Sequence, residues 1–427
     1  MTNSLKVAVI GAGVSGLTVA RELQRESHQV VVFEKSQRLG GTWVYDPRVE
    51  PDQLGSDPNR DVVHGSLHKS LRTNLPRQLM SFTDFKFDEK IYDDPRINPG
   101  HEEVLKFLED FATHFKLTEL IRFNTVVTRV EVVDSVITSF VVESETNGVS
   151  SVEVFDAVVV CNGHNTQPRI ATDIPGIETW SGKQMHSHNY RDSEPFRDQI
   201  VVVIGNGPSA IDIPREIAMV AKEVHMSSRS PRSKLGKLEK FDNMWQHSKI
   251  LKIESDGTMI FQDGFSLKAD IILHCTGYKL HFPFLRTNGI VSIHDKRIKH
   301  LYKHVFPPQL APNLSFVGIP EESFTFSIIE CQSRWIAQAL SQKVSLPSKE
   351  EMLFDVEQYY QEIKEKEVPE HRTHYIGFQT SYIEWIFNQT GMVLEQHVKE
   401  MCEYFPHCLM TYGVDGYMDA FSQKYGI

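Results

Sequence analysis

From Lys6 to Glu34 the chain passes through an apolar strand, a glycine turn, an amphipathic helix and a second apolar strand. Few folds accept that order. Residues 6–10 and 29–34 are rich in Val, as parallel strands buried on both faces must be. Leu17, Ala20 and Leu23 recur between them at helical spacing. The turn is Gly11-Ala12-Gly13-Val14-Ser15-Gly16. Gly11 permits a sharp reversal, Gly13 lets the backbone approach a pyrophosphate, and Gly16 lets helix and strand pack closely. A pyrophosphate there would meet the free N–H groups and the positive dipole end of the helix. Glu34 closes the second strand, where a carboxylate can accept bonds from ribose hydroxyls. A lone GxGxxG is a weak signal. Between strand and helix, with an acid at that distance, it specifies a dinucleotide site.

The same order returns at Ile200. Residues 200–204 read as a strand, Gly205-Asn206-Gly207-Pro208-Ser209-Ala210 as the turn, 211–222 as a helix and 224–228 as the next strand. This second strand ends in Ser227-Ser228-Arg229 and carries no acid. A carboxylate would repel a 2′-phosphate, whereas Arg229 would pair with it, so the second site is read as selective for NADPH. A solvated loop cation is the alternative for Arg229. The expected class is α/β, with two Rossmann-like dinucleotide-binding domains. The first domain takes residues 1–172 and 286–427 and is interrupted by the second at 173–285. One dinucleotide, FAD, would stay bound while NADPH delivers hydride.

Further along, 101–115 has a helical apolar period, and 125–133, 137–144 and 152–155 alternate as strands around a Thr146-Asn147-Gly148 turn. Residues 168–175 read as a linker. Two segments echo each other: Asp156 to Gly163 and Asp270 to Gly277 both run acid, apolar strand, Cys, glycine. Leu314 to Gly318 is one more strand stopping at a glycine, 326–340 reads as a helix, and the tail from 348 is mostly helical.

Composition excludes other classes. The chain has 427 residues, 45 basic against 56 acidic side chains and a net charge of −11, which disfavours nucleic-acid and anionic-membrane surfaces. No apolar run approaches a membrane span, and the first strand follows the N-terminus too closely for a secretory signal. Five cysteines without a CxxC provide neither a disulfide framework nor a redox pair, so a reducing, cytoplasmic setting is expected. His397, Cys402, His407 and Cys408 lack metal-ligand spacing and are read as ordinary surface and core residues; no metal is expected. Electrons therefore go to oxygen or a small organic acceptor.

Residues Trp180 to Tyr190 fit the pattern FxGxxxHxxxY, with Trp180 for the phenylalanine, Gly182, His186 and Tyr190. This resembles the fingerprint of the flavin-containing monooxygenases. The resemblance covers nearly the whole chain through GAGVSG, GGTW (40–43), SLRTNLP (70–76), CNGH, GNGPSA and CTGY. It is strongest toward the plant glucosinolate S-oxygenase-like branch, through SLRTNLPRQLMSF, GKQMHSHNYR and LYKHVFPP. The resemblance implies reduction of FAD by NADPH, formation of a C4a-hydroperoxyflavin with O2, and oxygen transfer to a soft nucleophile. A thioether sulfur is the leading substrate. An amine nitrogen, or an uncoupled oxidase releasing H2O2, is the alternative. The resemblance places the active-site asparagine at Asn74, a neutral donor and acceptor. It counts Val14, Ser15, Lys35, Leu39, Gly41, Thr42, Trp43, Leu71, Thr73, Leu75 and Val127 among the cofactor contacts. It adds Asn206, Pro208, Ser209, Ser228, Thr276 and Gln332, the last beside the flavin or simply packed. His186 and His188 either organise a domain junction or move a proton. Tyr190 stands where Baeyer–Villiger enzymes of related fold carry Trp, which argues against ester formation. The expected partners are a small thioether or amine and O2, with no nucleic acid or membrane. Self-association into a homo-oligomer is left open.

Overall fold

The computed structural model describes residues 4–134, 138–230 and 234–426. The chain separates into two compact units. The first comprises Met1–Val44, Arg72–Gly163 and Leu280–Ile427. The second comprises Tyr45–Leu71 and His164–Lys279.

The first unit is built on a parallel sheet in the order Leu314–Phe316, Ala157–Val160, Lys6–Ile10, Gln29–Phe33 and Ile121–Arg122. Register pairs Ile10 with both Phe33 and Val160, so the strands end together at Gly11. The helix Val14–Arg25 packs its apolar face on one side of this sheet, beside the helix Thr325–Leu340. Arg21 is buried between them. Its guanidinium bonds Glu22 at 2.8 Å, Asp84 at 2.7 Å and Glu330 at 2.9 Å, so no buried charge is left unpaired. The other side is covered by an antiparallel meander, Thr125–Asp134, Ser139–Thr146 and Val149–Phe155. Its last hairpin turns at Asn147 and Gly148, with φ of 50° and 80°, the left-handed pair that an Asn-Gly turn supplies. Ile137, expected to open the middle strand, lies outside the described residues. The helices Lys349–Glu365, Thr380–Thr390 and Gln396–Tyr425 close the unit.

The second unit repeats the plan. Its sheet runs Gly236–Lys237, Met244–His247, Glu223–Ser227, Ile200–Ile204, Ile271–His274 and Lys183–His186, with only the first strand antiparallel. The helix after its turn is Pro208–Ala218, starting earlier and ending earlier than periodicity predicts. Proline at the first helical position explains the early start, because the missing N–H has no partner to lose there. The expected linker is partly a strand, since Gln167–Pro168 pairs with Tyr278–Lys279.

Tyr45–Leu71 belongs to this second unit for a visible reason. The Arg191 guanidinium donates to the carbonyls of Asp46, Arg48 and Gly65, and Asn189 accepts from the Glu50 backbone N–H. Glu50 is fully buried and bonds Arg60 at 2.8 Å and the Val63 N–H at 3.0 Å. All five cysteines are free and buried. Among the described residues no helix is long and apolar enough to cross a membrane.

Candidate active site

The sequence echo noted above is a structural one. Asp156 accepts the Lys6 N–H at 2.7 Å, and Asp270 accepts the Ile200 N–H at 2.8 Å. Each acid thus pins the start of the central strand of its sheet. At the other end Cys161 N–H donates to Ile10 O and Cys275 N–H to Ile204 O. The carbonyls of these two cysteines then press on the first glycine of each turn. A Cβ on Gly11 would lie 2.6 Å from Cys161 O, and one on Gly205 would collide with Cys275 O. Both glycines also have positive φ, at 106° and 146°, where side chains are strained.

The middle glycines behave differently. Gly13 (φ −77°) and Gly207 (φ −88°) have extended backbone that any residue adopts. A Cβ on Gly13 would touch only Gly41 Cα at 3.5 Å, and one on Gly207 would meet nothing within 4 Å. The folded chain does not need glycine at either place. A ligand lying against the backbone would. Gly13 and Gly207 are also the N-caps of their helices, and neither helix has a side-chain cap or an acid in its first turn. The helix Lys349–Glu365, by contrast, has a full capping box from Ser348 and Glu351. The two turn helices therefore keep their N-terminal N–H groups open to an anion. Both turns fit the pyrophosphates of the expected cofactors.

Around the first turn, further loops converge. Gly40 N–H donates to Ala12 O at 3.0 Å, and Gly41-Thr42-Trp43 forms a single tight helical turn beside it. A Cβ on Gly41 would lie 2.9 Å from Gly13 Cα, so the GGTW loop abuts the glycine turn. Leu39 is buried beneath it, while Val14 and Ser15 lie half-buried at its rim and Lys35 is exposed. Glu34 is buried and largely used by the protein. Its Oε2 accepts from Ala12 N–H at 2.7 Å, and its Oε1 from the Ser36 N–H and hydroxyl. One lone pair of Oε2 remains for a ribose hydroxyl. The Thr125 N–H donates to Glu34 O, which starts the strand carrying half-buried Val127 at this same corner.

Gly318 was not singled out from the sequence as a site residue. It has φ 79°, and its Cβ would lie 3.0 Å from the Ser15 hydroxyl. The signal for it was present, as the third strand that stops at a glycine. Gln332 stands behind it, fully buried. Its Oε1 accepts the Gly318 N–H at 3.0 Å, and its Nε2 donates to the Tyr382 hydroxyl at 2.7 Å. Gln332 therefore supports the turn through Gly318.

Thr73, Asn74 and Leu75 form a loop in the first unit, whereas Ser70 and Leu71 cluster with the second. The Thr73 hydroxyl donates to Leu75 O at 2.8 Å. Asn74 is exposed, and its side chain makes no hydrogen bond to the described residues. In the second unit Asn206, Gly207 and Pro208 are exposed, Ser209 is half-buried and Ala210 is buried. Ser228 is buried and accepts the Ser230 N–H, while exposed Arg229 lies 3.6 Å from Asp173. The Thr276 hydroxyl donates to Arg169 O.

His186 and His188 are fully buried. His186 Nδ1 accepts the His188 N–H at 3.0 Å, and its Nε2 donates to Gly277 O at 3.0 Å. That fixes one neutral tautomer, and burial holds its pKa down at about 3. His188 Nε2 donates to Val63 O at 2.7 Å and lies 3.2 Å from Glu50. The His188 ring thus ties the segment 45–71 to its unit, and the His186 backbone N–H does so by donating to Gln53 O at 2.9 Å.

The profile of the family described as Flavin-binding monooxygenase-like matches residues 4–247 and 243–396. The chain is 53% identical over 396 residues to the flavin-containing monooxygenase FMO GS-OX5 of Arabidopsis thaliana, across 91% of this chain and 85% of that one. It is similar to the structure of S-allyl-L-cysteine S-oxygenase from Allium sativum, with a TM-score of 0.93, 47% identity and coverage of 98% and 96%. Tmm from Pelagibacter sp. strain HTCC7211 superposes with a TM-score of 0.81 at 26% identity, over 97% of this chain and 92% of that one. These likenesses run through both glycine turns, and the chain accordingly belongs to the flavin-containing monooxygenase family, as an enzyme that uses FAD and NADPH.

Proposed function

We propose that the protein oxygenates the sulfur of a small thioether. The observation that carries this reading is the likeness to an S-oxygenase of S-allyl-L-cysteine at 47% identity over 98% of the chain. The overall change balances as thioether, O2, NADPH and a proton giving sulfoxide, NADP⁺ and water. Bound FAD supplies the redox chemistry, accepting hydride and passing electrons to oxygen.

The chain's own residues bind, orient and protect. FAD is held in the first unit, its pyrophosphate against the N–H groups after Gly13 and its ribose at the free lone pair of Glu34. The GGTW loop and Gly318 border the same cofactor. NADPH is held in the second unit at Gly205–Ala210, with Arg229 as the partner of the 2′-phosphate. Exposure leaves Arg229 to a weak ion pair with Asp173, so little has to be broken to bind a phosphate. Asn74 is the residue assigned to the reacting centre. Its neutral amide can donate and accept without releasing a proton. His186 is not placed for proton transfer, since both its ring nitrogens are engaged.

The test uses the purified yellow protein with NADPH in air, offered S-allyl-L-cysteine or a tertiary amine. Sulfoxide formed in step with NADPH supports the reading. Amine oxide with no sulfoxide, or H2O2 alone, overturns it. Asn74→Ala is expected to keep flavin reduction and to lose most of the sulfoxide in favour of H2O2.

A further inference from the structure

The last helix, Gln396–Tyr425, is broken at Gly413, where φ is 65°. Past the break lies Tyr417, 5% exposed, its ring edge-on to buried Phe405 at 5.6 Å. Its hydroxyl lies 2.9 Å from Asn74 O and 3.3 Å from Asn98 Nδ2. Asn98 is itself buried, and the same Nδ2 donates to Thr73 O at 2.9 Å. The directions of these bonds are forced. A carbonyl only accepts, so the phenol must donate to Asn74 O. The phenol is then left to accept from Asn98, whose two amide hydrogens serve Thr73 O and Tyr417. The neighbouring residues are held from another side, since Thr73 N–H donates to Pro99 O at 3.0 Å and Arg77 N–H to Ile97 O at 2.9 Å. Asn74 itself has its side chain exposed, with only its carbonyl tied.

We infer that Tyr417 is a positioning residue: through Asn98 and the Asn74 carbonyl it sets the backbone from which the Asn74 amide projects. This rests on the reading of Asn74 given above and extends it to the C-terminal tail. The tail is held elsewhere by apolar packing and by polar ties such as Lys399 to Glu384 and Tyr382 to Gln332, whereas the Tyr417 hydroxyl reaches the segment assigned to the reacting centre.

The test compares Tyr417→Phe, which removes one oxygen, with Tyr412→Phe, an exposed site in the same helix. The first measurement is amide exchange over residues 73–76 in the purified protein. Tyr417→Phe is expected to speed exchange there roughly fivefold to tenfold, the scale of one lost buried hydrogen bond. Tyr412→Phe is expected to change nothing. The second is the ratio of H2O2 to NADPH consumed. It should rise in Tyr417→Phe with the KM for NADPH unchanged, a split that general loss of stability does not produce. Native exchange at 73–76 overturns the inference. So does faster exchange with native coupling, provided Asn74→Ala itself uncouples. If Asn74→Ala leaves coupling intact, the reading of Asn74 fails, and exchange alone decides whether Tyr417 holds the segment. Should Tyr417→Phe not fold, Asn98→Asp serves instead. It removes the amide donor and draws the phenol proton away from Asn74 O, so the same two shifts are expected.

Discussion

The two glycine turns occupy the same place in their sheets, yet the first is closed and the second open. At the first, a Cβ on Gly16 would collide with Gly11 O, Gly41 presses on Gly13, and Glu34 bonds across to Ala12. At the second, Ala210 already carries a methyl group, Gly207 faces empty space and Arg229 is exposed. The difference matches two kinds of occupancy. A resident cofactor suits a turn walled by several loops. A dinucleotide that arrives, reacts and leaves suits a turn with few walls.

The largest expected effect comes from copying the second turn into the first. Gly16→Ala puts a methyl into backbone and should cost more than about 3 kcal/mol, read by denaturant unfolding. The reverse exchange, Ala210→Gly, should cost only about 1 kcal/mol. Equal losses would show that the turns are built alike. Next come the middle glycines. Gly13→Ala should fold, losing no more than about 1 kcal/mol from a poorer N-cap, and be colourless. Gly207→Ala should stay yellow and raise the KM for NADPH at least about tenfold, about 1.4 kcal/mol of binding. A stability loss beyond about 1 kcal/mol in either would mean that protein contacts, not a ligand, select glycine there.

The sheets are also expected to differ in their response to acid. Val160 ends its strand beside Ile10, whereas His274 ends the matching strand beside Ile204. Burial holds His186 at about 3 and His274 at about 4, from 6.5 in the unfolded chain. Below about pH 6.5 the unfolded state takes up protons that the folded state refuses. Stability is therefore full above that pH and falls as pH drops toward 4, by a few kcal/mol. His274→Val, which copies the first sheet, should make the acid-side slope of unfolding free energy shallower. An unchanged slope would remove His274 from the account. Arg229→Ala should raise the KM for NADPH about tenfold and leave NADH nearly unaffected. Equal changes for both would end its role at the 2′-phosphate.

Much of this comparison was legible beforehand. Strand Val runs, turn glycines and the Asp156 and Asp270 echo are local patterns, and local patterns survive without knowledge of contacts. The sequence reading places the segment 45–71 in the first domain, within residues 1–172. Its membership in the second unit depends on Arg191, Asn189 and His188, more than a hundred residues away. Gly318 is visible in the sequence only as a strand end, and Gln332 as a helix residue either beside the flavin or simply packed. Their meeting with Ser15 depends on which strands pair.

By itself the sequence determined the two turns, their order and the chemistry they invite, because backbone geometry and helix N-termini act over a few residues. It also carried enough motifs to indicate the family. Only the tertiary structure decided which glycines the fold requires and which have room for a side chain. It also decided that both fingerprint histidines are buried and bonded, and that Tyr417 reaches Asn74. These are distances between residues far apart in the chain, set by how sheets, helices and loops pack, and no local pattern encodes them.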